Sequence, residues 1–186
     1  MTKILLSTTI LTLTLLMQGC SSDSDNTQDL SEMVATNEYV LTQTDQTQHT
    51  VLKVKNGFVL KEAKEKILLI DIFATWCPPC QAEASHLSSL QEKFKNELVI
   101  LGVTVEEGIS NEKLEDFKKQ YKAKFPIVNS SQNRKLITAV AEELKVGRNF
   151  GIPLMAMYKD GKLINFYQGT TEEEFIESDI KKALGE

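Results

Sequence analysis

Cys77-Pro78-Pro79-Cys80, preceded by Trp76, is the stretch of this chain whose residue types and spacing could do chemistry. Two thiols held one helical turn apart can close into a disulfide and open again at little structural cost. An unperturbed thiol with a pKa near 8.5 is only about 3% thiolate at pH 7, and lowering that pKa to about 6.5 makes roughly three-quarters of it the nucleophilic anion. The neighbouring sequence supplies the means. The apolar run Ile67-Leu68-Leu69-Ile70-Asp71-Ile72-Phe73 reads as a central, fully buried strand. A helix is expected from about Pro78 to Phe94, with Pro78 in the first turn, where a missing N–H does no harm. A thiol at the mouth of that helix feels its positive dipole end and unpaired N–H groups. Cys77 is therefore expected to be the exposed nucleophile, and Cys80, a turn further in, the resolving thiol.

Other uses of the pair fit less well. Closing so short a loop contributes only about 2 kcal/mol in the chain-entropy picture, a weak staple. A structural zinc site needs four ligands, and beyond this pair the chain offers only His49 and His86 and one further Cys. No metal or cofactor is expected.

Two carboxylates accompany the thiols. Cys80, Glu83, Leu87, Leu90 and Phe94 recur at helical spacing and share one face, whose apolar members mark it as inward. Glu83 should then lie at the core's edge beside the resolving thiol, with its pKa raised by desolvation. His86 falls off that face and is expected in solvent. Asp71 sits inside the buried strand, where an unpaired charge costs several kcal/mol, so it should be protonated or hydrogen-bonded. From there it could take the proton of Cys80 as that thiol attacks a mixed disulfide.

Around this centre the sequence alternates strands and helices. Tyr39–Thr44 and Thr50–Lys55 read as an N-terminal hairpin, and Asn56-Gly57 as a turn before Phe58-Val59-Leu60. Leu98–Val105 is a second buried strand, Ser110 caps a helix running to about Tyr121, Phe125–Val128 is a short strand, and Arg134–Leu144 is a helix. Leu154–Lys159 and Lys162–Gln168 are strands joined by Asp160-Gly161, a type I′ turn signal. The last helix, Thr171–Leu184, carries a Thr171/Glu174 capping box and stops at Gly185. This order predicts an α/β sandwich with a mixed central sheet. With 186 residues, 41% hydrophobic, 25% charged and a net charge of −5, the chain has room for one sizeable core and no basic surface for nucleic acid.

The first residues read differently. Met1-Thr2-Lys3 and the apolar stretch Ile4–Met17 suit a signal peptide, being shorter than the about 20 residues a membrane span needs. Leu16-Met17-Gln18-Gly19-Cys20 resembles a bacterial lipobox, so residues 1–19 are expected to be removed and Cys20 acylated. Acylation leaves an even pair, Cys77 and Cys80. Residues 20–37, polar and without periodicity, would be a tether, with a folded domain over 38–186.

From Glu38 to Leu184 the chain resembles thioredoxin-fold proteins of the ResA/TlpA type, the membrane-tethered disulfide reductases of bacterial envelopes. The resemblance rests on Phe73-Ala74-Thr75-Trp76-Cys77-Pro78-Pro79-Cys80, Glu83, Gly151-Ile152-Pro153, and an extra helix–strand unit between Val105 and Val128. It implies a thioredoxin-like fold and a redox-active Cys77–Cys80 disulfide, with Pro153 as a cis-proline that leaves the backbone of Ile152 free for an extended substrate. Trp76, Pro78, Pro79, Ile152 and Pro153 would form the substrate face. Asp71 matches the buried acid of thioredoxin itself. The implied partners are disulfide-containing envelope proteins, apocytochrome c in cytochrome c biogenesis among them, and an integral membrane thiol donor of the DsbD/CcdA kind. The implied location is the cell envelope, lipid-anchored and facing the periplasm. Two further readings stand beside it: a DsbA-like thiol oxidase, poised near about −120 mV against about −270 mV for thioredoxin, and a redox-sensing, peptide-binding module.

Overall fold

The computed structural model describes residues 37–186. The expected signal segment 1–19, Cys20 and residues 20–36 of the expected tether lie outside the described residues, while Asn37 already pairs with Lys53 in the first strand. The elements run β1 (Asn37–Thr42), β2 (Gln48–Val54), β3 (Gly57–Leu60), β4 (Ile67–Phe73), α1 (Pro78–Lys93), β5 (Leu98–Thr104), α2 (Asn111–Tyr121), β6 (Ile127–Val128), α3 (Asn133–Leu144), β7 (Leu154–Lys159), β8 (Lys162–Gln168) and α4 (Glu173–Leu184).

Five strands form a mixed sheet in the order β6-β5-β4-β7-β8. β4 lies at its centre, parallel to β5 and antiparallel to β7, and all seven of its residues are buried. Strand alternation sends Ile67, Leu69 and Phe73 to one face and Leu68, Ile70 and Ile72 to the other, and the two sets belong to separate apolar clusters. The first cluster takes in Leu87 and Leu90 of α1, Leu114 and Phe117 of α2, and Ile176 and Ile180 of α4. Each fully buried Leu or Ile there contributes about 1.5–3 kcal/mol over leaving it in water. The second cluster packs Leu136 and Val140 of α3 together with Tyr39, Leu41, Val51 and Phe58 of the N-terminal strands.

Among those strands β1 and β2 form the expected hairpin, and β3 extends it to a three-stranded antiparallel sheet. The third strand forms because Phe58 packs edge-on to Tyr158, ring centres 5.3 Å apart. Gly57 permits this approach: a Cβ there would sit 2.7 Å from Tyr158 Cδ1. Two other boundaries moved. β6 begins at Ile127, one residue past Pro126, which has no N–H for a ladder. The capping box at Thr171 is absent: Glu172 is the N-cap of α4, no side chain caps it, and the Thr171 N–H is engaged elsewhere. Ser110 does cap α2, accepting from Lys113 N at 3.3 Å. Asp160 and Gly161 both take positive φ, 51° and 72°, as the predicted I′ turn requires. Among the described residues no helix is long and apolar enough to cross a membrane.

Candidate active site

The carboxyl end of β4 hands over to α1 through Ala74-Thr75-Trp76, and the two cysteines stand at that junction. They form a disulfide with Cα atoms 5.3 Å apart. Cys77 is the N-cap of α1, and Pro78 is its first helical residue. The Cys80 N–H donates to Cys77 Sγ at 3.3 Å, an orphan helix donor aimed at the sulfur that would carry negative charge after reduction.

The loop before β7 packs against this sulfur. The Ile152–Pro153 peptide bond is cis, and the Ile152 carbonyl oxygen lies 3.8 Å from Cys77 Sγ. The Pro153 carbonyl accepts from Gly169 N at 2.8 Å. Pro153 is buried, Ile152 and Pro79 are half-buried, Pro78 is exposed, and Trp76 stands 64% exposed beside the disulfide. One expectation is corrected. Cys77 is 3% exposed and Cys80 5%, so in the disulfide form the first thiol is no more open than the second. Bonding to Cys80 draws Cys77 Sγ onto the helix end, under the Ile152 carbonyl.

Both predicted carboxylates lie on the α1 side of the sheet. Asp71 alternates in phase with Ile67, Leu69 and Phe73 and pairs across the ladders with Gly102 and Met155. It is 5% exposed, and its Oδ1 has no hydrogen-bond partner among the described residues. Burial, reinforced by the nearby Glu83, pushes its pKa up to about 8, so it is mostly protonated at neutral pH. Glu83 is 3% exposed, not at the rim but inside the stripe of Cys80, Leu87 and Leu90. Burial pushes its pKa up to about 7, partly offset by the Thr171 N–H, which donates to Oε1 at 2.7 Å. Its Oε2 is unpartnered among the described residues. The same contact ties the start of α4 to α1.

The histidines stand apart. His86 is exposed on α1, and His49 of β2 pairs through Nδ1 with Glu62 at 2.9 Å.

Glu106, just past β5, was not singled out from the sequence. Its carboxylate accepts from Thr75 N at 2.7 Å and from Thr75 Oγ1 at 3.1 Å, two residues before Cys77. Thr104 Oγ1 accepts from Glu106 N at 3.1 Å and lies 3.4 Å from its Oε2. The available signal was position: Glu106 follows the carboxyl end of a central parallel strand, where sites of open α/β sheets gather.

Residues 41–153 match the model of the AhpC/TSA family. The chain belongs to the AhpC/TSA family. Within this AhpC/TSA framework, a thiol-disulfide oxidoreductase ResA from Bacillus thuringiensis subsp. konkukian is 30% identical over 128 residues, covering 66% of this chain and 66% of the relative. Among solved structures, a thiol:disulfide interchange protein of the thioredoxin family from Chlorobium tepidum superposes with a TM-score of 0.64 at 19% identity, covering 81% of this chain and 96% of that one. StoA from Bacillus subtilis superposes at 0.54 with 18% identity, covering 77% and 96%. The fold is thioredoxin-like, as the resemblance implied, with the AhpC/TSA match spanning β1 to the cis-proline.

Proposed function

We propose that the chain is a thiol–disulfide oxidoreductase of the bacterial envelope that reduces disulfides in exported proteins. The observation that carries the reading is the Cys77–Cys80 disulfide at the N-terminus of α1, set against the Ile152–Pro153 loop and backed by Asp71 and Glu83. The relatives named as thiol-disulfide oxidoreductases support it.

In the forward direction the Cys77 thiolate, held by the Cys80 N–H and the helix dipole, attacks one sulfur of a substrate disulfide. A mixed disulfide forms and the first substrate thiolate leaves. Cys80 then loses its proton to a carboxylate, attacks Cys77 Sγ and expels the second substrate thiolate, closing the Cys77–Cys80 disulfide. Two electrons pass to the substrate. In the return direction a donor thiolate attacks Cys77 Sγ and Cys80 leaves with a proton; a second donor thiolate then attacks the donor sulfur of that mixed disulfide, closing the donor's disulfide and releasing Cys77 as the thiolate. Asp71, neutral in the disulfide form, holds a proton for the departing Cys80, and the same group takes it back during resolution. Glu83, one turn along the helix from Cys80, is a second buried carboxyl group beside Asp71 that can share that proton.

Trp76, Pro78, Pro79 and Ile152 form the face that meets the substrate, and Ile152 offers its N–H, which no hydrogen bond reaches among the described residues. Residues 1–19 act as the signal peptide and acylated Cys20 as the anchor, holding the domain over 38–186 near a membrane thiol donor of the DsbD/CcdA kind. Oxidised apocytochrome c is the narrower substrate class to assay first.

Replacing Cys80 with Ser tests the reading. Cells carrying Cys80→Ser should accumulate mixed disulfides between Cys77 and envelope proteins, resolved by dithiothreitol on non-reducing gels. Absence of any such adduct, with the variant folded and exported, would rule the activity out.

A further inference from the structure

Thr75 precedes Trp76 and Cys77 in the turn that opens α1, and both its N–H and its hydroxyl are bound by one carboxylate. That carboxylate, Glu106, comes from the far end of β5, so it clamps the nucleophile's turn to the central sheet. The remainder of the turn is held locally: Cys77 N donates to Ala74 O at 3.2 Å, and Gln81 Nε2 to Thr75 O at 2.7 Å.

The charge on this clamp is not cancelled. Its neighbour Glu107 is paired with Arg134 at 2.9 Å, whereas among the described residues no cation lies within ion-pairing distance of Glu106. Only dipoles hold it, from Thr75 and Thr104. Other charged groups near the turn are few. Asp71 of β4 and Glu83 of α1 lie behind it, and Lys113 and Asp116 of α2 share with Trp76 and Glu106 the lining of a hollow of about 400 Å³.

We propose that Glu106 is a positioning residue for Cys77 whose negative charge also keeps the Cys77/Cys80 couple on the reducing side. The physical reason is opposition. The N-terminus of α1 stabilises the Cys77 anion, and a fixed negative charge bound to Thr75, in the same turn as Cys77, destabilises it. A less stabilised thiolate makes the reduced form less stable, and a dithiol with a less stable reduced form is the stronger reductant. The proposal rests on the exchange activity argued above.

The test uses the full chain as wild type, Glu106→Gln and Glu106→Ala. Trp76 is the only tryptophan, so its fluorescence reports both folding and the redox equilibrium with glutathione. Gln keeps an acceptor and a donor for Thr75 and removes the charge. It should shift the glutathione equilibrium about threefold toward the reduced dithiol, and raise the Cys77 acid constant about threefold in the pH profile of alkylation, the effect of one partly screened charge. Its kcat for insulin reduction should stay within about twofold of wild type. Ala should show the same equilibrium shift and also lose about tenfold in kcat, because the turn is no longer held. If neither variant moves the equilibrium or the alkylation profile, the inference is overturned while the exchange reading stands. A wild-type chain that neither equilibrates with glutathione nor reduces insulin overturns both.

Discussion

Asp71 carries its proton because nothing around it donates. Its ladder partners, Gly102 and Met155, offer no side-chain donor, and the nearby carboxyl group, Glu83, is of the same potential sign. A carboxyl group whose folded pKa is about 8, against about 4 in the unfolded chain, binds more protons folded than unfolded. Its contribution to stability is therefore complete below about pH 4 and is lost as pH rises through 8. We expect the thermal midpoint of the wild-type chain to fall between pH 5 and pH 8 by roughly 5 °C more than that of Asp71→Asn, whose side chain cannot ionise. Calorimetry at the two pH values checks this, and parallel curves for the two proteins would refute it. The acid's burial was legible in the sequence from its place in an unbroken apolar run. Its coupling to Glu83 was not, because that depends on which face of β4 turns toward α1. The near-equal burial of the two cysteines was likewise hidden, since it depends on the bond between them and on the Ile152 carbonyl above.

Helix ends illustrate how local rules succeed or yield. Ser110 and Thr171 read alike as caps, yet only Ser110 performs the role, accepting from Lys113 N. At Thr171 the backbone N–H is taken by Glu83, 88 residues away in sequence but adjacent in space, and α4 starts two residues later. Ser110→Ala should cost about 1 kcal/mol in urea unfolding, while Thr171→Ala should cost less than half of that. Equal losses would mean that Thr171 caps its helix after all. A long-range bond to a buried carboxylate is worth more to the fold than a solvent-exposed cap, which is why the local pattern lost here.

Two layers flank the central sheet, and they divide the labour. The α1, α2 and α4 side carries the disulfide and its carboxylates; the other side, filled by α3 and the three-stranded sheet, carries none of them. Thus the N-terminal strands bring the chain to the sheet on the face opposite α1. Cys20→Ala should move the protein from the membrane pellet to the soluble fraction on cell fractionation without changing its rate of insulin reduction. Unchanged membrane association would argue against lipid anchoring at that residue.

Composition, apolar periodicity and the spacing of Cys77 and Cys80 were enough to place a dithiol at a strand-to-helix junction within a mixed α/β sandwich, because these features are written in residues close together in the chain. Glu106 on Thr75, Glu83 on Thr171 and the third N-terminal strand on Tyr158 join segments far apart in sequence, and their partners follow from strand order and packing. No local pattern encodes that order, so the environment that sets the proton affinities around the sulfurs emerged only once the sheets and helices were assembled.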